Sequence, residues 1–253
     1  MIEFIFNPKF LIPFLSTAGA SITIIILQSI HQFHNDRKKK IFAVAYMTDV
    51  SLRLLQSSLI IKVNTIIPHI ELAKQLIEGN HDLLIKTFLA DEFDILTDDA
   101  IDFNSLPEEY KILIGYDDIR LLQAFETLIY MHKINKIQNN FNDFVKVNLK
   151  SQLDFLSKTK DEQIDILNTY WDYLDKLKHK EDRIIAFILH IFLPMVEEYI
   201  KRKFFIMCSK SSIKELLQKA NKLKESYKTD IPDPSFFQKS VSGGIQKIIK
   251  KKK

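Results

Sequence analysis

The chain has few residues of the types that build disulfide frameworks, tight turns or phosphate-binding loops. Its 253 residues include one cysteine, Cys208, which excludes an internal disulfide and a zinc site made of several cysteines. Five glycines and seven prolines leave little material for the corners of β-sandwiches, and none for a glycine-rich phosphate loop. Neither a Gly-x-Ser-x-Gly elbow nor a His-Glu-x-x-His motif occurs. We therefore predict a helix-rich chain with no cofactor and no metal.

The longest uncharged stretch lies near the amino end. No Asp, Glu, Lys or Arg occurs from Phe10 to Asn35. A helix over residues 10–33 is long enough to span the roughly 30 Å hydrocarbon core of a bilayer. Ala18-Gly19-Ala20 matches the cleavage site of an export signal, but the apolar run continues beyond it. A retained membrane anchor over residues 1–36 is predicted, with a cleaved signal and a soluble core helix as alternatives.

Basic residues set the predicted orientation of this anchor. Arg37, Lys38, Lys39 and Lys40 follow the span, whereas Lys9 alone precedes it. Lys and Arg accumulate on the cytoplasmic side of membrane spans. The prediction is a single-pass protein of the inner or plasma membrane, with its amino end outside, its body in the cytoplasm, and Lys38, Lys39 and Lys40 binding lipid headgroups.

The remaining chain has the hydrophobic period of helices. Apolar residues from Leu52 to Ile66 recur every three or four positions, and this pattern follows the anchor without a break until Pro68. Residues 184–196 are apolar on all sides, which predicts the central helix of a bundle. No alternating strand pattern is present. We predict an all-α class, with a cytoplasmic multi-helix bundle over residues 37–228.

Helix starts are marked by side chains that cap the first turn. Ser105, Thr159 and Ser212 each precede a Glu by three positions, which is a capping box, and Asp117 is predicted to cap another helix. The predicted core faces of the helices after Asp117 and Thr159 are Leu121, Phe125, Leu128 and His132, and Ile164, Leu167, Trp171 and Leu174.

Residues 91–109 carry eight acidic side chains and no basic ones. Clustered carboxylates suit calcium, but the stretch lacks the alternating Asp spacing and the central glycine of a calcium-binding loop. We predict an acidic, solvated loop.

The carboxyl end changes character at residue 229. Pro232, Pro234 and the pair Gly243-Gly244 interrupt any helix, so residues 229–253 are predicted to form a flexible basic tail. Lys247, Lys250, Lys251, Lys252 and Lys253 are predicted to bind an anionic lipid surface. Nucleic acid, or no partner at all, are the alternatives for these lysines.

One pair of residues suggests an enzyme. Arg183 and His190 are seven positions apart on a predicted helix, which places both on the same side. This Arg-x4–6-His spacing resembles the signature of the HEPN ribonucleases, which are all-α proteins that pair two such helices across a dimer. The resemblance implies a metal-independent reaction in which His190 deprotonates or orients the attacking 2′-hydroxyl and Arg183 holds the phosphate.

The sequence therefore favours a non-enzymatic, membrane-tethered interaction or scaffold module. Its expected partners are the lipid bilayer and a protein partner or a second copy. The alternatives are the HEPN-like ribonuclease, for which nucleic acid would be the partner, and a membrane-tethered defence or stress effector.

Overall fold

The computed structural model describes residues 8–78, 106–133, 136–149, 155, 157–203 and 211–233, and every regular element in these ranges is helical. The elements are α1 (Pro8–Ile60), the π-helical segment π1 (Ile61–Ile66), α2 (Ile67–Ile77), α3 (Glu108–Lys133), α4 (Lys136–Asn148), α5 (Lys160–Phe187), the π-helical segment π2 (Ile188–Phe192), α6 (Leu193–Lys203) and α7 (Ser211–Ser226). The predicted all-α class is confirmed.

α1 is one helix of 53 residues that lies in two environments. Residues 23–35 are exposed, whereas the core begins at Ala43. π1 then leads directly into α2, where Pro68 lies in the first turn. Proline has no backbone N–H, so Pro68 cannot donate to the preceding π-helical turn as the Ile67 amide does to the Lys62 carbonyl. The predicted near-continuity of the apolar run with the first body helix is confirmed.

The consecutive elements α1, π1 and α2 form one long rod. A second rod, α5–π2–α6, packs antiparallel to it. Lys62 of π1 contacts Asp182, and further along α2 the Nδ1 atom of His69 lies 2.8 Å from the Tyr170 hydroxyl. Positions therefore rise along one rod as they fall along the other. Residues 184–189 are all buried. The prediction that residues 184–196 form a buried central helix is confirmed for residues 184–189, 192, 193 and 196, whereas Pro194 is exposed. That helix also extends through polar residues on both sides.

The main core fills the space between α1, α3, π2, α6 and α7. The rings of Phe125 and Phe192 lie 6.1 Å apart at its centre. Leu121, Phe125 and Leu128 are buried as predicted, while His132 is half-buried. The fully buried apolar side chains of α1 in this core are Ala43, Val44, Met47, Leu54, Leu55 and Leu59.

A second core joins α2, α4 and the first half of α5. The rings of Phe141 and Tyr170 stack at 5.8 Å, and Leu167 and Leu174 are buried as predicted. The prediction for Ile164 is wrong, since its side chain is exposed. The predicted continuation of α3 into α4 falls at residues 134–135, which lie outside the described residues.

Two helix starts test the capping predictions. The Thr159 box is confirmed, because the Glu162 amide donates to Thr159 Oγ1 at 3.4 Å and the Thr159 amide donates to Glu162 Oε2 at 2.8 Å. The cap assigned to Asp117 belongs instead to Asp118, whose φ of −157° and ψ of 89° interrupt α3. Its Oδ1 atom accepts the amide of Leu121 at 3.4 Å and that of Arg120 at 3.1 Å.

The remaining boundaries also differ in detail. α7 begins at Ser211, so Ser212 lies in its first turn and does not precede it. Within the predicted tail, the carbonyl oxygens of Asp230 and Pro232 accept hydrogen bonds from Lys62 and His190 of the body. Ser105, the acidic stretch up to residue 105, and Lys247 and Lys250 to Lys253 lie outside the described residues.

Candidate functional site

The two residues of the predicted ribonuclease signature have different surroundings. Arg183 is exposed on α5, whereas His190 is half-buried on π2. The Nε2 atom of His190 lies 3.1 Å from the carbonyl oxygen of Pro232. A carbonyl can only accept, so Nε2 carries a hydrogen and donates it to the backbone. This ring nitrogen is thus engaged within the chain.

Residues next to Arg183 form a buried polar cluster. Lys62 Nζ lies 2.7 Å from Asp182 Oδ1, and their side chains are only 7% and 10% exposed. Lys62 also donates to the backbone carbonyl of Asp230. Glu181 is hydrogen-bonded to the buried Ser58. Asp182 and Glu181 thus have partners other than the neighbouring Arg183.

The two π-helical segments hold the end of the described chain. Lys62 lies on π1 and bonds Asp230, while His190 lies on π2 and bonds Pro232. A π-helical turn holds one more residue than an α-helical turn, and so changes which side chains face a given neighbour. Both rods are therefore π-helical at the turns whose side chains bond residues 230 and 232. Ile231 packs between these bonds against the main core.

Burial raises the pKa of the Glu181 carboxyl, and the nearby Asp182 adds to this, while the Ser58 hydrogen bond and Lys180 act in the opposite direction. A carboxyl whose pKa is higher in the folded state stabilises the fold fully below its unfolded pKa of about 4.5. That contribution is lost as the pH rises through the folded pKa.

Substituting Glu181→Gln is therefore expected to raise the melting temperature at neutral pH, because the amide keeps a hydrogen-bond partner for Ser58 without a buried charge. The gain should disappear below pH 4.5, where the wild-type carboxyl is protonated as well. Circular dichroism melts of both proteins across this pH range measure it. A gain of equal size at acidic and neutral pH would mean that ionisation of Glu181 is irrelevant to stability.

A second cluster of charges lies where the exposed part of α1 meets the body. Lys39 Nζ lies 3.1 Å from Glu109 Oε2, and Lys40 Nζ lies 2.8 Å from Asp117 Oδ2. The Tyr199 hydroxyl donates to the same Asp117 carboxylate at 3.1 Å. These contacts join α1, α3 and α6 at one level, which we call the base of the body.

The electrostatics of the base follow from these pairs. Partial burial raises the pKa of Asp117, but its hydrogen bond and charge interaction with Lys40, aided by Tyr199 and Lys203, lower it overall. For Asp118, burial is likewise outweighed by its bond from Arg202, and its pKa is lowered. Both acids thus favour the folded state when ionised, and their contribution is lost only as the pH falls below about 3.8.

The three lysines that are predicted to bind lipid after the span differ in whether they form ion pairs. Lys38 is exposed, whereas Lys39 and Lys40 are paired with acids of α3. The bond to Glu109 raises the pKa of Lys39. Lys38 is therefore the lysine of this group whose charge is most accessible to a headgroup.

The ion pairs that the sequence does not predict join residues far apart in the chain. Asp118 binds Arg202 across 84 positions, and Lys62 binds Asp182 across 120 positions, so no local pattern joins them. One signal was present, since Lys62 is a lone charge among Leu59, Val63 and Ile66. A lysine in such a stripe needs a buried acceptor.

Over the described ranges, no group of three or more His, Cys, Asp or Glu side chains is placed to hold a metal ion. Over the same ranges, one helical stretch, Thr23–Ile77, is long and apolar enough to cross a membrane, judged by length and composition.

Comparison with known proteins gives no match to a family model, to a curated protein or to a solved structure.

Proposed function

We propose that this chain is a single-pass membrane protein whose all-α body is a non-enzymatic interaction or scaffold module. The observation that carries the proposal is that one continuous helix, α1, has an exposed part over residues 23–35, which we call the exposed half, and a buried part that begins at Ala43. The exposed half would lie in the bilayer, and the buried half belongs to the core.

The exposure of apolar side chains in α1 argues against the alternative that this stretch is a core helix of a soluble protein. The isoleucines and leucine of residues 24–27 are more than half exposed, with Ile25 at 60%, and Phe33 is exposed as well. Burying one such side chain contributes about 1.5–3 kcal/mol, so a row of them in water forms an unfavourable patch. A hydrocarbon environment removes that penalty. The backbone there is helical, as a membrane span requires.

The same residues argue against cleavage as an export signal. A cut after Ala20 would remove only the first part of the apolar run. Residues 23–34 would stay on the mature body as a projecting apolar helix. Retention of the whole run is the more stable arrangement in a bilayer.

Orientation is supported by the basic cluster. The flank rule counts Lys and Arg and gives Asp and Glu little weight, so the ion pairs of Lys39 and Lys40 do not change the expectation. The body then lies in the cytoplasm, attached to the span without a flexible linker. Such an attachment holds the surfaces of the body at a fixed height above the lipid, which is useful for a scaffold.

The ribonuclease alternative is tested by activity. We expect the full chain in detergent micelles to leave single-stranded RNA as intact as a protein-free control does, because His190 donates to the Pro232 carbonyl. The His190→Ala variant should give the same result. RNA degradation by the wild type that His190→Ala abolishes would establish the enzyme and overturn the non-enzymatic proposal. The defence or stress effector stays a prediction.

A further inference from the structure

We propose that the first part of α3, residues 108–117, lies in the lipid interface of the membrane that α1 enters, with Ile112 and Tyr116 in contact with lipid. We call this part the base segment. This inference rests on the proposed membrane anchor and adds a second, separate lipid-binding surface to it.

The base segment is attached to α1 directly beyond the exposed apolar half. The ring of Tyr110 lies 5.6 Å from that of Phe42, and the ion pairs of Glu109 and Asp117 are made with the consecutive residues Lys39 and Lys40. Glu109 and Asp117 are about 12 Å apart along a helix, whereas consecutive residues differ by only about 1.5 Å in height. Two acids so far apart along one helix reach consecutive residues of the other most directly when the base segment crosses α1, and we infer this crossing from the two ion pairs.

The crossing lies at the outer edge of the lipid interface, and a helix of about 5 Å radius at that height reaches into it. Lys39 lies six positions beyond Phe33, the end of the predicted span, which is about 9 Å along the helix. The interfacial region of one leaflet is roughly 5–8 Å thick, and interfacial helices bury their apolar face about 5–10 Å deep. Because the base segment crosses α1, it lies close to parallel with the membrane plane when α1 spans it.

The outer face of the base segment is apolar. Tyr110 and Ile114 face the core, and the opposite side carries Ile112, which is exposed, and Tyr116, which is 88% exposed. Ile119 continues this surface after the bend. Aromatic and aliphatic side chains at the headgroup level are typical of membrane interfaces.

The acidic residues of the base segment do not oppose this contact. Glu108 is paired with Lys111 at 3.2 Å, Glu109 with Lys39, and Asp117 with Lys40. Their charges are compensated within the chain, so an anionic surface repels them only weakly. The exposed Lys38 nearby adds attraction of about 1 kcal/mol.

Depth-dependent quenching of tryptophan fluorescence tests the proposal. The full chain, with its single tryptophan changed by Trp171→Phe, receives Tyr116→Trp and is reconstituted in vesicles of ordinary or brominated phospholipid. We expect Tyr116→Trp to lose fluorescence in the brominated vesicles. Tyr130→Trp is the matched control, because Tyr130 is 68% exposed on the same helix but about 18 Å beyond Asp118. Its fluorescence should be unchanged.

A third variant tests the membrane anchor independently of the base segment. Phe33→Trp should be quenched if α1 spans the bilayer. Quenching of Phe33→Trp without quenching of Tyr116→Trp would overturn the interfacial base segment and leave the anchor intact. Absence of quenching at both positions would overturn the anchor. Shielding of Tyr116→Trp from acrylamide without bromolipid quenching would assign the surface to a second copy or another protein, and would also contradict the proposal.

Discussion

Replacing Lys62 by Met is expected to destabilise the body by about 3–5 kcal/mol, because the substitution leaves Asp182 as a buried carboxylate without its cation. The Asp230 carbonyl loses its donor in the same step. For a domain of 150–250 residues this corresponds to a fall in melting temperature of roughly 6–20 °C. Circular dichroism melts of the full chain in detergent micelles measure it.

Two further variants show whether the effect comes from the buried charge. Lys74→Met removes an exposed ion pair with Glu71, which is 3.2 Å long, and should change stability by less than about 1 kcal/mol. Combining Lys62→Met with Asp182→Leu should recover most of the loss, since an apolar pair can replace a buried ion pair at little cost. Equal effects of Lys62→Met and Lys74→Met would show that the buried pair does not contribute to the fold.

Placing two arginines in the exposed half of α1 is expected to release the chain from the membrane. Ile24 and Ile25 lie near the middle of the predicted span, where each arginine costs about 2.5–3.5 kcal/mol. The double variant Ile24→Arg with Ile25→Arg therefore loses roughly 5–7 kcal/mol of insertion free energy. Alkaline extraction of cell membranes should leave the wild type in the pellet and move the variant to the supernatant.

The control for this experiment places the same charge elsewhere. Asn64 and Gln75 are exposed side chains of the body, so Asn64→Arg with Gln75→Arg should stay in the pellet with the wild type. Extraction of the wild type itself by alkali would contradict the anchor. Retention of the Ile24→Arg with Ile25→Arg variant would show that another surface holds the chain on the membrane.

The features that could be predicted from the sequence are those set by nearby residues. The helical class, the continuity of the first apolar run with the first body helix, and the Thr159 capping box all depend on spacings of three or four positions. The apolar stretch from Ile184 is predicted to be central because it has no charged face, and most of its side chains are buried.

What could not be predicted depends on contacts between distant parts of the chain. Asp117 and Asp118 are adjacent and chemically alike, and only the fold decides that Asp118 caps a helix while Asp117 joins Lys40 and Tyr199. In the same way, Pro232 suggests the start of a flexible tail. The structure instead holds that residue against His190, which no local pattern reveals.

The most direct test of the central claim is the position of each end of the chain relative to the membrane. Two single-cysteine proteins, made in a Cys208→Ser background, carry Ile2→Cys or Lys228→Cys. Lys228 is exposed, so the substitution leaves the core unchanged. A membrane-impermeant maleimide is expected to label residue 2 in intact cells and residue 228 only after the cells are permeabilised. Labelling of residue 228 in intact cells would contradict a single-pass anchor with a cytoplasmic body.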